Sequence, residues 1–172
     1  MAVRPILHYP DPILKQRAAP VSSSDPVIAG VIQDMLDSLA VSPGVALAAP
    51  QIGYALRLIV VDVTRKRGEQ GHGLVVLLNP HILHSDSPRI VREGCLSVPD
   101  FTGNVRRYDH AMVEATTPEG QRTVLSVSGF EALAFQHEID HLEGVLFLDR
   151  IESLSTDLFR RKRRNEDITA ER

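Results

Sequence analysis

His137-Glu138-Ile139-Asp140-His141 constrains this chain more than any other stretch of five residues. Two imidazoles four apart stand side by side on a helix, and the flanking sequence predicts one. Ser128-Gly129-Phe130-Glu131 has the form of a capping box, with Ser128 at the N-cap and Glu131 three residues on. Phe130, Leu133, Ala134, His137, His141 and Leu142 keep a helical rhythm, and Gly144 is a stop signal. On such a helix both rings reach one ion, and Glu138 is close enough to serve a water on it. A divalent metal lowers the pKa of its water toward neutrality, and a carboxylate then takes the proton. The chain holds seven histidines, so composition alone makes this pattern roughly 1–2% of the time. Two ordinary core histidines are the competing reading.

A hydrolytic centre of this kind takes three protein ligands and leaves one position open. Glu143 lies too close, on the same helix end, and Glu152 and Glu166 sit in weak contexts. Cys95, the single cysteine, is the better candidate. It lies in Glu93-Gly94-Cys95-Leu96-Ser97, after the strand-like Ile90-Val91, where Gly94 permits a sharp turn. A lone cysteine is usually an inert buried thiol; beside the histidine pair, ligation becomes the favoured reading. His81 and His84 fall on opposite faces of a strand and read as surface residues. His8, His72 and His110 have no partner visible in the sequence.

Elsewhere the pattern is mixed. Asp25 is an N-cap and Pro26 a first helical residue. Val27, Ile28, Val31, Ile32, Met35, Leu36 and Leu39 then make one apolar face that ends at Pro43-Gly44. Leu58 to Val63 reads as a buried strand, and residues 65–73 as a polar loop. Leu74 to Leu78 reads as a second strand, ended by Asn79-Pro80. Met112 to Thr116 and Thr123 to Val127 flank Pro118-Glu119-Gly120 as a hairpin. The expected fold is α+β, with antiparallel sheets around a central metal-binding helix. Residues 1–154 are expected to form the catalytic domain, and residues 155–172 a basic C-terminal helix or tail.

Composition narrows the setting. A net charge of -3 argues against a general or specific DNA binder. One cysteine excludes an internal disulfide and suits a reducing compartment. The start, Met1 to His8, lacks a signal-peptide pattern, and no stretch approaches the ~20 apolar residues of a membrane span. The expected location is the cytoplasm. Aromatics at 5%, with no Trp, argue against a stacking surface for single-stranded nucleic acid.

Three segments together resemble the signature motifs of the peptide deformylases: Gly44-Val45-Ala46-Leu47-Ala48-Ala49-Pro50-Gln51, Glu93 to Ser97, and Gln136 to His141. They stand in the right order with suitable gaps, and Ile6 to Leu14 is similar to that family's start. The resemblance spans residues 4 to 151 and implies removal of the formyl group from the N-terminal formyl-methionine of new polypeptides, releasing formate. It implies one divalent ion on Cys95, His137 and His141, commonly Fe(II), with Ni(II), Co(II) or Zn(II) able to replace it. Glu138 matches the catalytic glutamate. The Gln51 amide and the Leu96 N–H match the groups that hold the developing oxyanion. Gly44, Val45, Ala46, Val91, Glu93, Gly94, Phe130, Leu133 and Ala134 are the implied substrate-binding residues. Of these, Val45, Val91, Phe130, Leu133 and Ala134, together with His137, would line the methionine slot, while Glu93 and Arg107 resemble a bracing pair.

Ala46 departs from the pattern, since the family usually has glycine there. If the backbone at Ala46 needs a positive φ, the substitution carries strain. The basic run Arg160-Arg161-Lys162-Arg163-Arg164 reads as a solvated tail or as a ribosome contact. Two rivals remain at this point. One is a metallopeptidase acting on internal peptide bonds, disfavoured by the Cys95 and Gln51 motifs. The other is a non-catalytic metal- or ribosome-binding relative, disfavoured by the intact Glu138 and Gln51.

Overall fold

The computed structural model describes residues 2–161. In chain order the elements are α1 (Pro26–Val41), β1 (Ala46–Ala48), β2 (Leu58–Val61), β3 (Val75–Cys95), β4 (Val98–Thr116), β5 (Arg122–Ser128), α2 (Gly129–Leu142), α3 (Leu154–Asp157) and β6 (Leu158–Arg160). The strands join one antiparallel sheet in the order β1-β2-β3-β4-β5, and β6 pairs with β4. The architecture is α+β, with one connected sheet where several were expected.

Helix α1 follows its sequence signals. The Asp25 carboxylate accepts the Val27 N–H at 3.0 Å, and Ile28, Val31, Met35 and Leu39 form the buried stripe. The sheet sorts its side chains by the strand period of two. Leu58 and Val60 of β2 pack with Leu47 against that stripe of α1. Ile59 and Val61 pack with Ala46 and Ala48 against Phe135, Ile139 and Leu142 of α2. This is why Leu58-Ile59-Val60-Val61 shows no polar alternation: both faces are covered. Each fully buried side chain of this kind is worth about 1.5–3 kcal/mol. Helix α2 is thereby set against the sheet with the H-E-x-x-H residues inside the molecule.

Two local expectations fail for reasons that lie outside the local sequence. Asn79-Pro80 does not end its strand. Asn79 takes φ +51°, β3 shifts register there and runs on to Cys95. The bulge tolerates the proline, and the Asn79 amide pairs both ways with the Val21 backbone, at 2.8 and 2.7 Å. The capping box does not form either. Ser128 occupies the N-cap, but its side chain makes no capping bond. Glu131 instead accepts the His72 N–H at 2.8 Å and meets His72 Nδ1 at 2.9 Å. The segment from residue 155, expected as a helix or tail, opens with the end of α3. Leu158 to Arg160 is a strand paired with Phe101 to Gly103. Lys162, Arg163 and Arg164 lie outside the described residues. Gly144, at φ +70°, stops α2 as expected.

Candidate metal centre

Two elements deliver the three donors. His137 and His141 stand one turn apart on α2, their ring centroids 5.0 Å apart and nearly perpendicular. Cys95 ends β3, where the register shifts after Gly94 and the chain turns into β4. Its Sγ lies 3.3 Å from His141 Nε2. One ligand atom from each of Cys95, His137 and His141 falls within 4.8 Å of the others. Thiolate and imidazole donors at this spacing suit a divalent transition metal.

The electrostatics favour a cation. Burial opposes the Cys95 thiolate, but the charge on His141, then hydrogen bonds from His137 and His141, hold the thiol well below its ordinary range. Burial likewise opposes charge on His137, yet Cys95 and Glu93 hold that imidazole well above its usual value. The site thus gathers positive charge, as protons or as metal. Two buried atoms here, Glu138 Oε2 and His141 Nδ1, have no hydrogen-bond partner among the described residues. A metal centre with a reacting water accounts for an unpartnered Glu138 oxygen better than a packed core does.

A second layer orients the ligands. Glu93 Oε2 lies 2.9 Å from His137 Nδ1, which assigns that nitrogen the proton and frees Nε2 for a metal. Glu93 is in turn clamped by Arg107 at 2.6 and 3.0 Å. Arg107 also donates to Asp140 Oδ2 at 2.7 Å, and Arg150 donates to both oxygens of the same carboxylate. The Glu93–Arg107 pair expected from the resemblance is therefore present, within a longer chain of charges. Asp140 and Arg150 carried no signal of their own: Asp140 occupies a variable position of the motif, and Arg150 lies beyond it.

Gln51 is 1% exposed. Its Oε1 accepts the Ala48 N–H at 2.9 Å, so its Nε2 points at Ser97 Oγ, 3.2 Å away, and Cys95 Sγ, 3.6 Å away. The amide end that donates faces the centre. Leu96 sits half-buried in the turn between β3 and β4. Ser97, which the sequence reading left without a role, donates its N–H to Cys95 Sγ at 3.4 Å. Burial pushes the Glu138 carboxyl up to about 7, against the charges of His137 and His141. A carboxyl in that range gives and takes a proton near neutral pH.

A family model for polypeptide deformylase matches residues 3–157. The chain belongs to the polypeptide deformylase family. It is 43% identical over 162 residues to a peptide deformylase of Syntrophobacter fumaroxidans, covering 94% of each chain. Its fold resembles the peptide deformylase of Legionella pneumophila, with TM-score 0.81, 39% identity and coverage of 89% and 88% of the two chains. It also resembles a peptide deformylase of Acinetobacter baumannii with Met-Ala-Ser bound, with TM-score 0.80, 34% identity and coverage of 87% and 99%.

The remaining residues expected for a deformylase are gathered unevenly. Val45 and Phe130 are half-buried and pack with Ala134 in the core beside α2. Leu133 is half-buried on the same helix. Val91 packs elsewhere, with Leu14, Cys95, Val105 and Phe147, so it approaches from the cysteine side. Gly44 lies against Leu96: a Cβ there would come within 2.9 Å of Leu96 Cδ1. Ala46 is an ordinary extended residue of β1 paired with Val61. Among the described non-glycine residues only Asn79 and Ser87 have positive φ, so alanine at 46 carries no backbone strain.

Proposed function

We propose that this chain is a metal-dependent hydrolase that removes the formyl group from N-terminal formyl-methionine and releases formate. The observation that carries the reading is the convergence of Cys95, His137 and His141 with Glu138 and the Gln51 amide, in a chain matched to the family over residues 3–157. Cys95 Sγ and the two imidazoles would hold one divalent ion, preferentially Fe(II), with Ni(II), Co(II) or Zn(II) as substitutes. When bound, that ion supplies Lewis-acid activation of water and of the formyl carbonyl.

The chain's own residues do the rest. Glu138 takes a proton from the attacking water and returns it to the leaving amine nitrogen as the C–N bond breaks. Gln51 Nε2 and the Leu96 N–H donate to the oxyanion that develops on the formyl oxygen. Val45, Val91, Phe130, Leu133 and Ala134 receive the methionine side chain. Gly44, Ala46 and Gly94 present backbone to the peptide. Glu93, braced by Arg107, keeps His137 aimed. The basic run from Arg160 is a candidate ribosome contact. Truncation after Arg161 leaves β6 intact and tests that contact by salt-dependent ribosome binding.

Metal analysis after anaerobic purification, paired with formate release from formyl-Met-Ala-Ser, tests the main reading. About one ion per chain and steady formate release are expected. Cleavage of an internally quenched peptide without formate release would overturn it in favour of a peptidase. No conversion of either substrate would leave a metal- or ribosome-binding relative.

A further inference from the structure

The segment after β6 brings a guanidinium over Gly94, on the face of β3 opposite the Glu93 side chain. Phe159 of β6, Thr102 of β4 and Gly94 of β3 lie in line across three strands. Residues two apart on a strand share a face, so Arg92 lies on the same side as Gly94, and Asn104 on the same side as Thr102. Contacts on that face follow. Arg92 donates to Asn104 Oδ1 at 2.9 Å, and its guanidinium carbon sits 3.4 Å from the Phe159 ring centroid. Arg161 comes two residues after Phe159. Its N–H donates to the Asp100 carbonyl at 2.7 Å. Its side chain reaches Gly94, where a Cβ would stand 2.8 Å from its Nη2. Leu158 packs against the core near Cys95, Val105 and Phe147, which anchors the segment.

Arg57, Arg107 and Arg150 each pair with a carboxylate. Among the described residues Arg161 has no such partner. It is exposed, yet it lies over the residue that joins Glu93 to the ligand Cys95.

We propose that Arg161 is a specificity-determining residue, favouring formylated peptides with an acidic side chain one or two residues after the methionine. The proposal rests on the deformylase reading. An extended peptide advances ~3.3 Å per residue and turns alternate side chains to one face, so a peptide running along β3 past Gly94 would present one of its two residues after the methionine to the face that holds the guanidinium. Arginine recognises a carboxylate through two parallel N–H bonds. An exposed pair of this kind is worth about two- to fivefold in kcat/KM. The effect falls on KM, because the guanidinium does not touch the bond being broken.

The test compares amide-capped peptides on the metal-loaded full-length chain, with formate release as the readout. Formyl-Met-Asp-Ala is set against formyl-Met-Asn-Ala, and formyl-Met-Ala-Asp against formyl-Met-Ala-Asn. The expected acid-over-amide ratio is about two to five at low salt in one of the pairs, carried by KM. Arg161→Gln brings the ratio to about one, Arg161→Lys keeps most of it, and ~1 M KCl, with a Debye length of ~3 Å, abolishes it in the unaltered chain. A ratio near one in the unaltered chain, or the same ratio in Arg161→Gln, overturns the proposal. If Arg161→Gln instead weakens salt-sensitive ribosome binding with the ratio unmoved, the arginine belongs to an RNA contact. Absence of formate from every peptide, formyl-Met-Ala-Ser included, overturns the deformylase reading and the specificity with it.

Discussion

Arg107→Met isolates what the buried charges contribute. Arg107 is 2% exposed and joins two carboxylates, donating twice to Glu93 and once to Asp140. Methionine fills much of the same space and donates nothing. Asp140 then keeps Arg150, whereas Glu93 keeps only His137. Removing one partner of a buried pair costs about 3–5 kcal/mol, a large share of the ~5–15 kcal/mol that holds a domain folded.

The pH profile gives an independent handle on the same number. Burial pushes the Glu93 carboxyl up, but His137 and Arg107 outweigh it and hold it at about 2, against 4.5 ordinarily. A carboxyl held below its unfolded value contributes stability that is fully present above 4.5 and is lost as the pH falls toward about 2. At ~1.4 kcal/mol per tenfold change in proton affinity, that contribution is about 3 kcal/mol, in line with the cost above. Arg107 supplies part of that lowering, after His137, so the two proteins differ most above pH 4.5 and the gap narrows in acid. Urea unfolding of both chelator-treated proteins, from about pH 7 down to about pH 3, measures the gap. A gap below ~1 kcal/mol at neutral pH, or one of constant size down to acid, refutes the reasoning.

Three further outcomes are expected. Glu138→Gln keeps metal content near normal while formate release drops by ~10² or more; retained turnover would remove Glu138 from its role. Gly144→Ala costs about 2–3 kcal/mol in denaturant unfolding, because φ is +70° and a Cβ would stand 2.7 Å from the Lys15 carbonyl carbon and oxygen; a loss under ~1 kcal/mol contradicts the strain argument. Ala46→Gly keeps or raises formyl-peptide turnover and costs about 0.5–1 kcal/mol of stability. A large loss of turnover there would mean that the alanine methyl shapes substrate binding.

The candidate metal ligands were legible in the sequence because their geometry is local or carried by short motifs. His137 and His141 need only a helix, and Gly94-Cys95 only a strand end. The α1 stripe and the buried β2 run were legible for the same reason, since periodicity is written into consecutive residues. The failures share one cause. Asn79-Pro80 reads as a stop until Val21, distant in sequence, supplies partners for the asparagine amide. Glu131 reads as half of a capping box until His72 occupies its carboxylate. In both cases a long-range polar bond displaced a local preference, and neighbouring residues hold no trace of it.

The same distinction separates the groups at the centre from what aims them. Residue type identified the Gln51 amide, but its direction comes from elsewhere. Its Oε1 is tied back to the Ala48 N–H, and its own carbonyl accepts the Leu7 N–H at 2.7 Å. Ser97, on the other side of Cys95, is held through its carbonyl by the Tyr9 N–H at 2.9 Å. The opening segment is therefore a backbone clip spanning the Gln51 and Cys95 motifs, which explains why Ile6 to Leu14 resembles the family's start although it carries none of the proposed catalytic side chains. Oxyanion donors are effective only when they are aimed before charge develops. A clip made of main-chain bonds does that aiming without requiring a particular side chain, so short motifs carry the proposed donors and not their support.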